Sequence, residues 1–226
     1  MKAIAVIPAY NEVTRIATTV ASVLPFVDGV VVVDDGSDDG TADAARIGDT
    51  VVLRHAVNRG QGAALRTGTE AAIRLGSDII IHIDADGQHD ASFIPSLVQP
   101  LRAGEADVVF GSRFLGLDPE GIPMTRRLLF RGMRVFNAFA MGIPRCVTDP
   151  QSGLRAMSRD AARRIDFKQD RMAHCSEILR RVTRSSLRWQ EVPVRVRYTD
   201  ESLAKGQRST DAFKIAWHLF IGVFVE

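Results

Sequence analysis

Short apolar runs in the first half of the chain alternate with segments whose apolar residues recur every three or four positions. Runs rich in valine and isoleucine predict buried strands, and the intervening segments predict amphipathic helices. The strands are predicted at residues 3–7, 29–33, 50–53, 79–83 and 107–110. The helices are predicted at residues 12–24, 41–47, 60–75 and 92–102. This alternation indicates an α/β fold, with a mostly parallel central sheet and helices on both faces.

The pattern changes after residue 110. Residues 122–141 interleave apolar side chains with arginines, which predicts an amphipathic helix that either packs in the protein or touches lipid. A further strand and an apolar final helix are predicted at residues 186–196 and 210–224. Acidic turns lie mainly in the first half of the chain, and arginines follow in the second half. We expect a single domain over residues 1–226, with a metal-binding half at 1–110 and an anion-binding half at 111–226.

Composition narrows the functional classes. A length of 226 residues with 46% hydrophobic content suits one large α/β domain. A net charge of +2 does not argue for a nucleic-acid partner. Cys146 and Cys175 lack metal-ligand spacing, which indicates a reducing compartment and no disulfide framework. No apolar run reaches the roughly 18 to 20 residues of a membrane span, so we do not expect an integral membrane protein.

Two carboxylates, Asp84 and Asp86, directly follow the apolar run at residues 79–83 and share one side of the chain. Like charges held this close are unfavourable unless a cation neutralises them or one is protonated. Oxygen ligands select hard ions such as Mg2+ or Mn2+, which keep positions open for water and substrate phosphates. The pair therefore predicts a metal site that binds a phosphate ester, and the alternative is a solvated turn.

Polar loops follow three predicted strands, at residues 8–12, 34–37 and 84–86. Because ligands of open α/β sheets bind beyond the carboxyl ends of the strands, we expect these loops to converge on one crevice. Residues 58–62 open the next helix, where unpaired N–H groups and the helix dipole favour an anion.

With these segments in order, the chain resembles the family 2 glycosyltransferases of the GT-A fold, specifically the polyprenyl-phosphate (dolichyl-phosphate) mannose and glucose synthases. Six segments carry the resemblance, in family order across about two thirds of the chain: Ile-Pro-Ala-Tyr-Asn-Glu at 7–12, Asp-Asp-Gly-Ser-Asp-Asp-Gly-Thr at 34–41, Asn-Arg-Gly-Gln-Gly-Ala-Ala-Leu-Arg-Thr-Gly at 58–68, Asp-Ala-Asp-Gly-Gln-His-Asp at 84–90, Gly-Ser-Arg-Phe at 111–114 and Asp-Pro-Gln-Ser-Gly-Leu-Arg at 149–155. Any one segment is weak, but the six together are specific.

The resemblance implies the residues of the donor site. It implies a nucleotide-sugar pocket lined by Pro8, Tyr10, Glu12, Asp35 and Asp84. It also implies a divalent metal, Mg2+ or Mn2+, held by Asp84, Asp86 and Gln88. Tyr10 as a packed side chain and Gln88 as a turn residue remain alternatives. We interpret His82 and His89 as structural, since a lone histidine on a strand is more often core than ligand.

The acceptor implied by the resemblance is a polyprenyl phosphate, which is mostly a nucleophilic dianion at neutral pH because its second pKa is about 6. It needs electrostatic positioning, which the planar fork of arginine provides. The candidates are Arg113, ranked first, then Arg127, Arg131 and Arg155, with Ser202 and Lys205 in a segment that resembles the family's mobile acceptor loop. Glu177 lies where saccharide-transferring relatives place an acidic base, although here it could instead orient an arginine. The expected catalytic residues are Asp84, Asp86, Arg113 and Glu177.

We therefore expect inverting, metal-dependent transfer of a hexose from GDP-mannose, UDP-glucose or UDP-N-acetylglucosamine to dolichyl or undecaprenyl phosphate. The enzyme would act peripherally at the cytoplasmic face of the membrane or recruit a separate small membrane subunit. One alternative is a family 2 transferase that acts on a saccharide or protein hydroxyl. An alternative of another class is a non-catalytic subunit that binds a nucleotide sugar.

Overall fold

The computed structural model describes residues 1–115, 143–144 and 146–196. The helices predicted at 122–141 and 210–224 lie outside these residues. So do four candidates for the acceptor site: Arg127, Arg131, Ser202 and Lys205.

Within the described residues, seven strands form one sheet. They are β1 (Ala3–Ala9), β2 (Gly29–Asp34), β3 (Val51–Arg54), β4 (Ile79–His82), β5 (Val108–Ser112), β6 (Arg155–Ser158) and β7 (Trp189–Pro193). Their order across the sheet is β3-β2-β1-β4-β6-β5-β7. Neighbouring strands are parallel except β6, which is antiparallel to both β4 and β5. The mostly parallel sheet is confirmed. The inserted strand β6 was not predicted, because its four residues contain only a two-residue apolar run between charged and polar neighbours.

Helices connect the strands. They are α1 (Ile16–Val23), α2 (Thr41–Ala44), α3 (Gln61–Arg74), α4 (Ile94–Arg102), α5 (Arg159–Arg164) and α6 (His174–Thr183). Helix α1 begins four residues later than predicted, and the last two helices were not predicted. Among the described residues, none of these helices is both long and apolar enough to cross a bilayer.

Side chains of β1 alternate between two apolar cores, one on each face of the sheet. Ala3, Ala5 and Ile7 pack in the core that includes α1 and α4. Ile4 and Val6 pack in the core that includes α3 and α6. Full burial of an aliphatic side chain of this size contributes about 1.5 to 3 kcal/mol, so the central strand is held firmly from both sides.

Helix α3 lies unusually close to the sheet. A Cβ at Gly68 would overlap the Val6 side chain and lie 3.1 Å from Val33 Cγ2, so this helix position requires glycine. The close packing brings the first turn of α3 beside the carboxyl ends of β1 and β4.

Candidate active site

A cleft of about 390 Å3 lies at the carboxyl ends of β1, β2 and β4. Six predicted site residues line it: Pro8, Tyr10, Glu12, Asp35, Asp84 and Asp86. Gly60, directly before α3, and Gln61, at its first position, also line the cleft, as does Met172. Tyr10 is 48% exposed, so it does not have the packed position that was the alternative for it. The expected convergence of three polar loops is thus observed.

The loop after β1 is fastened to the loop after β2. The Asn11 N–H donates to Ser37 Oγ at 2.9 Å, and the Glu12 N–H donates to Thr41 Oγ1 at 2.9 Å. Asn11 has a φ of 53°, in the left-handed region that asparagine tolerates better than most residues. These contacts hold Tyr10 and Glu12 at the cleft and give a structural reason for the hydroxyl residues of the second loop.

Asp35 is nearly inaccessible, and its carboxylate is well supplied with donors. Its Oδ1 lies 2.6 Å from His55 Nδ1, whose other ring nitrogen lies 2.9 Å from Thr67 Oγ1. The main-chain N–H of Arg59 donates to both carboxylate oxygens, and that of Gly60 donates to Oδ2 at 2.6 Å. The carboxylate therefore fixes the segment that leads into α3.

The N-terminus of α3 is covered by the protein itself. The N–H groups of Gly62 and Ala63 donate to the Asp170 carbonyl at 2.7 and 3.2 Å, and Asp35 accepts those of Arg59 and Gly60. Within residues 58–62, the N–H groups of Arg59, Gly60 and Gly62 are therefore paired within the protein, contrary to the expectation that this segment offers unpaired N–H groups to an anion. The partner of the Gly62 N–H comes from a loop about a hundred residues later, which the local sequence could not reveal.

Both oxygens of Asp84 are held by neutral or cationic side chains. Gln61 Nε2 donates to Oδ1 at 2.7 Å, and the Nε2–H of His89 donates to Oδ2 at 3.3 Å. Burial raises the pKa of Asp84, but the hydrogen bond from His89 and neighbouring positive charges, including that of Arg155, outweigh burial and lower this pKa below its ordinary value. Asp84 is thus held as an oriented anion.

Gln61 and His89 are site residues that the sequence reasoning missed. Gln61 lay within a matched segment but was given no role, and His89 was interpreted only as structural. The position of His89 five residues after Asp84, in the same loop, was an available signal. The β-bridge between His89 and Val196 fixes this end of the loop. Nothing in the sequence signalled that contact.

Asp86 lies in a less favourable setting for a negative charge. Burial and the charge of Asp84 raise its pKa above the ordinary value, although the Gln88 N–H donates to its Oδ1 at 3.0 Å. Repulsion between two cleft carboxylates fits a hard divalent cation. Among the described residues no group of three or more His, Cys, Asp or Glu side chains is placed to hold a metal. Further ligands would therefore come from water, substrate phosphate or an amide such as Gln88, and Mg2+ and Mn2+ accept all of these.

Arg113, just after β5, forms a bidentate ion pair with Asp149. Its Nε and Nη2 donate to the two Asp149 carboxylate oxygens at 2.6 and 2.7 Å. The Glu191 carboxylate in turn accepts the N–H groups of Thr148 and Asp149. Two matched segments far apart in the chain therefore meet here, and the bidentate pair fixes the orientation of the guanidinium.

The structure corrects the expectation that Arg155 contacts the acceptor phosphate. Arg155 is 1% exposed, and its Nε donates to His82 Nδ1 at 3.1 Å inside the sheet. Burial first, and then the charges of Arg155 and His174, lower the pKa of His82 well below its ordinary value. His82 is thus neutral, and its Nε2–H faces Thr69 Oγ1 at 2.8 Å. It is a core residue, as the sequence indicates.

Glu177 lies in the first turn of α6 and is 4% exposed. Its carboxylate accepts the main-chain N–H groups of Lys168 and Gln169 and lies 2.9 Å from Arg181 Nε. The contact with Arg181 agrees with the alternative in which Glu177 orients an arginine.

Comparison with known proteins shows which proteins this chain is similar to. Residues 4–166 match the family described as glycosyl transferase family 2. The chain is 37% identical to an uncharacterized protein of Methanocaldococcus jannaschii, with 96% of this chain and 90% of the relative covered. It is 32% identical to UDP-N-acetylglucosamine–dolichyl-phosphate N-acetylglucosaminyltransferase of Methanococcus voltae, with 96% and 94% covered.

The fold is similar to that of solved glycosyltransferases. The crystal structure of glucosyl-3-phosphoglycerate synthase from Mycobacterium tuberculosis in complex with Mn2+, uridine diphosphate and glucosyl-3-phosphoglycerate superposes with a TM-score of 0.75 at 23% identity. The match covers 99% of this chain and 78% of that chain. The predicted GT-A type of fold is therefore confirmed.

Proposed function

The chain belongs to glycosyl transferase family 2, and from this premise we propose that it transfers a hexose from a nucleotide sugar to a polyprenyl phosphate. The observation that carries the proposal is the pair of carboxylates, Asp84 and Asp86, in a cleft at the ends of β1, β2 and β4. Relatives named for dolichyl-phosphate and undecaprenyl-phosphate acceptors, at 32% and 30% identity, support the lipid phosphate. The protein is a glycosyltransferase, so the alternative of a non-catalytic subunit is set aside.

On the donor side, Pro8, Tyr10 and Asp35 would bind the nucleoside. Asp84 and Asp86, with Gln88, would hold Mg2+ or Mn2+, which when bound supplies positive charge to the departing nucleoside diphosphate. Gln61 and His89 would keep Asp84 ionised and oriented for this task. GDP-mannose, UDP-glucose and UDP-N-acetylglucosamine all remain candidate donors.

On the acceptor side, the phosphate dianion would attack the sugar carbon directly, and one displacement inverts its configuration. Arg113, oriented by Asp149, would position the phosphate, with Arg127, Arg131, Ser202 and Lys205 as further candidates outside the described residues. A hydroxyl acceptor would instead require a deprotonating carboxylate. The engagement of Glu177 with three donor groups favours the phosphate. Because the acceptor is a lipid, we propose that the protein works at the membrane surface.

The direct test is incubation of the purified protein with Mn2+, each labelled nucleotide sugar and a short polyprenyl phosphate. The matched control acceptor is the corresponding polyprenol, which has the same chain without the phosphate. We expect label in the lipid phosphate only, with the sugar inverted at C1 by NMR. Transfer to the polyprenol or to a free saccharide, without transfer to the phosphate, would contradict the proposal.

Arg113→Ala is expected to lower turnover about ten- to a hundredfold, because each charge-assisted hydrogen bond to the phosphate contributes roughly 1.5 to 3 kcal/mol. The substitution also removes the guanidinium that pairs with buried Asp149, so thermal unfolding must be measured in parallel. Arg113→Ala combined with Asp149→Ala removes both charges and separates the two effects. If the double variant recovers parental turnover, Arg113 does not contact the acceptor.

A further inference from the structure

The buried carboxylate of Glu177, on α6, accepts hydrogen bonds from three groups of the described residues. The Lys168 N–H reaches both oxygens of Glu177 at 3.0 and 2.9 Å, and the Gln169 N–H reaches Oε2 at 2.8 Å. Arg181 Nε donates to Oε1 at 2.9 Å from one turn further along the helix. This pattern suits a carboxylate whose oxygens accept hydrogen bonds and fix main chain, since a general base must offer an oxygen to an incoming proton.

The segment fixed by Glu177 is clamped from its other side by α3. Arg66 Nη1 donates to the Lys168 carbonyl at 2.9 Å, and the Arg66 guanidinium also pairs with the Asp170 carboxylate. The Asp170 carbonyl accepts the N–H groups of Gly62 and Ala63. Residues 168–172, which we call the clamp loop, are thus fastened to α6 at one end and to the first turn of α3 at the other.

Two glycines permit this contact, Gly60 directly before α3 and Gly62 in its first turn. A Cβ at Gly60 would overlap the Asp170 carbonyl, and a Cβ at Gly62 would overlap that of Gln169. The approach of the clamp loop to α3 is therefore as close as main chain allows.

The clamp loop contributes directly to the donor cleft. Met172 lines the cleft and is 48% exposed. Gly60 and Gln61, on the turn that the loop covers, line it as well, and Gln61 holds Asp84 Oδ1. Glu177 is not among the described residues that line the cleft. It is nevertheless connected to Asp84 through the loop and Gln61.

We propose that Glu177 is a positioning residue for the nucleotide sugar: it fixes the clamp loop against α3 and thereby sets the positions of Met172, Gln61 and Asp84. The proposal rests on the proposed function only in assuming that the cleft binds a nucleoside diphosphate. It stands in place of the general-base role that the family resemblance left as one alternative for this residue.

The first test asks whether Glu177 holds the loop, with no substrate present. In Glu177→Gln the side chain keeps its shape, but its NH2 group points at N–H donors and cannot accept from them. We expect hydrogen exchange at the Gly62 and Ala63 amides to become faster in Glu177→Gln and in Arg66→Ala. Arg74→Ala, which removes an exposed arginine paired with Glu70 on the same helix, is the matched control and should exchange like the parent. Unchanged exchange in both test variants would overturn the proposal.

The second test measures binding and turnover separately. With Mn2+ and either UDP or GDP as the probe, Glu177→Gln and Arg66→Ala should each weaken nucleotide binding about tenfold. The loss of nucleotide affinity in the double variant should be much smaller than the product of the two single-variant losses, because both substitutions release the same loop. Glu177→Asp, which keeps the charge, should retain more affinity than Glu177→Gln and covers the case in which the latter is poorly folded.

Two results distinguish failure of this inference from failure of the proposed function. In the first, Glu177→Gln binds nucleotide like the parent but loses kcat, and the acid limb of its pH profile is flattened. That result would identify Glu177 as a base and overturn the inference. Failure of the parent protein to bind either nucleotide would instead overturn the proposed function, and the exchange experiment would still decide what Glu177 holds.

Discussion

Replacing Asp86 with alanine should lower sugar transfer by about a hundred- to a thousandfold, because a bound divalent ion contributes several kcal/mol of charge stabilisation. The fold should tolerate the change. Burial and the charge of Asp84 raise the pKa of Asp86 above its ordinary value, so folding disfavours the ionised carboxylate at pH 7. Removing that charge therefore should not lower the melting temperature.

The measurements are initial rates, Mn2+ affinity by titration calorimetry and thermal unfolding. Asp86→Asn is the control for shape, since it removes the charge and keeps an oxygen. Adding EDTA to the parent protein should reproduce the loss, and Mn2+ should restore it. Parental rates in the alanine variant, or rates that EDTA leaves unchanged, would remove the metal from the mechanism.

Gly153→Ala should cause a loss of similar scale, although it replaces none of the predicted metal ligands. A Cβ at residue 153 would overlap Asp84 Oδ2 and lie 2.8 Å from Asp84 Cγ. The backbone there is not in the left-handed region, so alanine itself is acceptable and the carboxylate must move. That movement breaks the contacts with Gln61 and His89, and misplacement by about 1 Å can cost on the order of a hundredfold in rate.

The matched control is Gly29→Ala, at the start of β2, where the nearest atom would be Ile4 Cγ1 at 3.8 Å. That variant should keep parental activity and stability. In Gly153→Ala the transfer rate and the Mn2+ affinity should both fall, whereas the melting temperature should change little. If Gly153→Ala binds Mn2+ and turns over like the parent, the position of Asp84 is not set by this glycine.

The sequence was informative wherever a local pattern decides the structure. The strands predicted at 3–7 and 29–33 are continuous apolar runs, so the residues at which they end could be located. The loop residues that follow them, Pro8, Tyr10 and Asp35, could be located with them. The carboxylates after β4 could be located for the same reason. In each case the relevant neighbours in the chain are also the neighbours in space.

The sequence was misleading wherever a partner lies far away in the chain. Arg155 was a candidate to contact the acceptor phosphate, but it is buried, and His82, 73 residues earlier, accepts its Nε–H. The N–H of Gly62 was expected to be unpaired, as part of residues 58–62, but it donates to the Asp170 carbonyl. Glu177 is a favourable first-turn residue of a helix in its own right, and nothing local indicates that it holds a loop.

The antiparallel strand β6 has a consequence for the order of folding. Strands β4 and β5 are both synthesised before β6, yet they do not pair with each other, because β6 lies between them in the sheet. During synthesis the edge of β4 therefore remains without its final partner until residues 155–158 emerge. Pairing over such separations is slow, and open edges invite association with other chains. A fragment that stops at residue 110 would carry all four described carboxylates that line the cleft, but on an unfinished sheet, so we expect such a fragment to aggregate rather than bind nucleotide on its own.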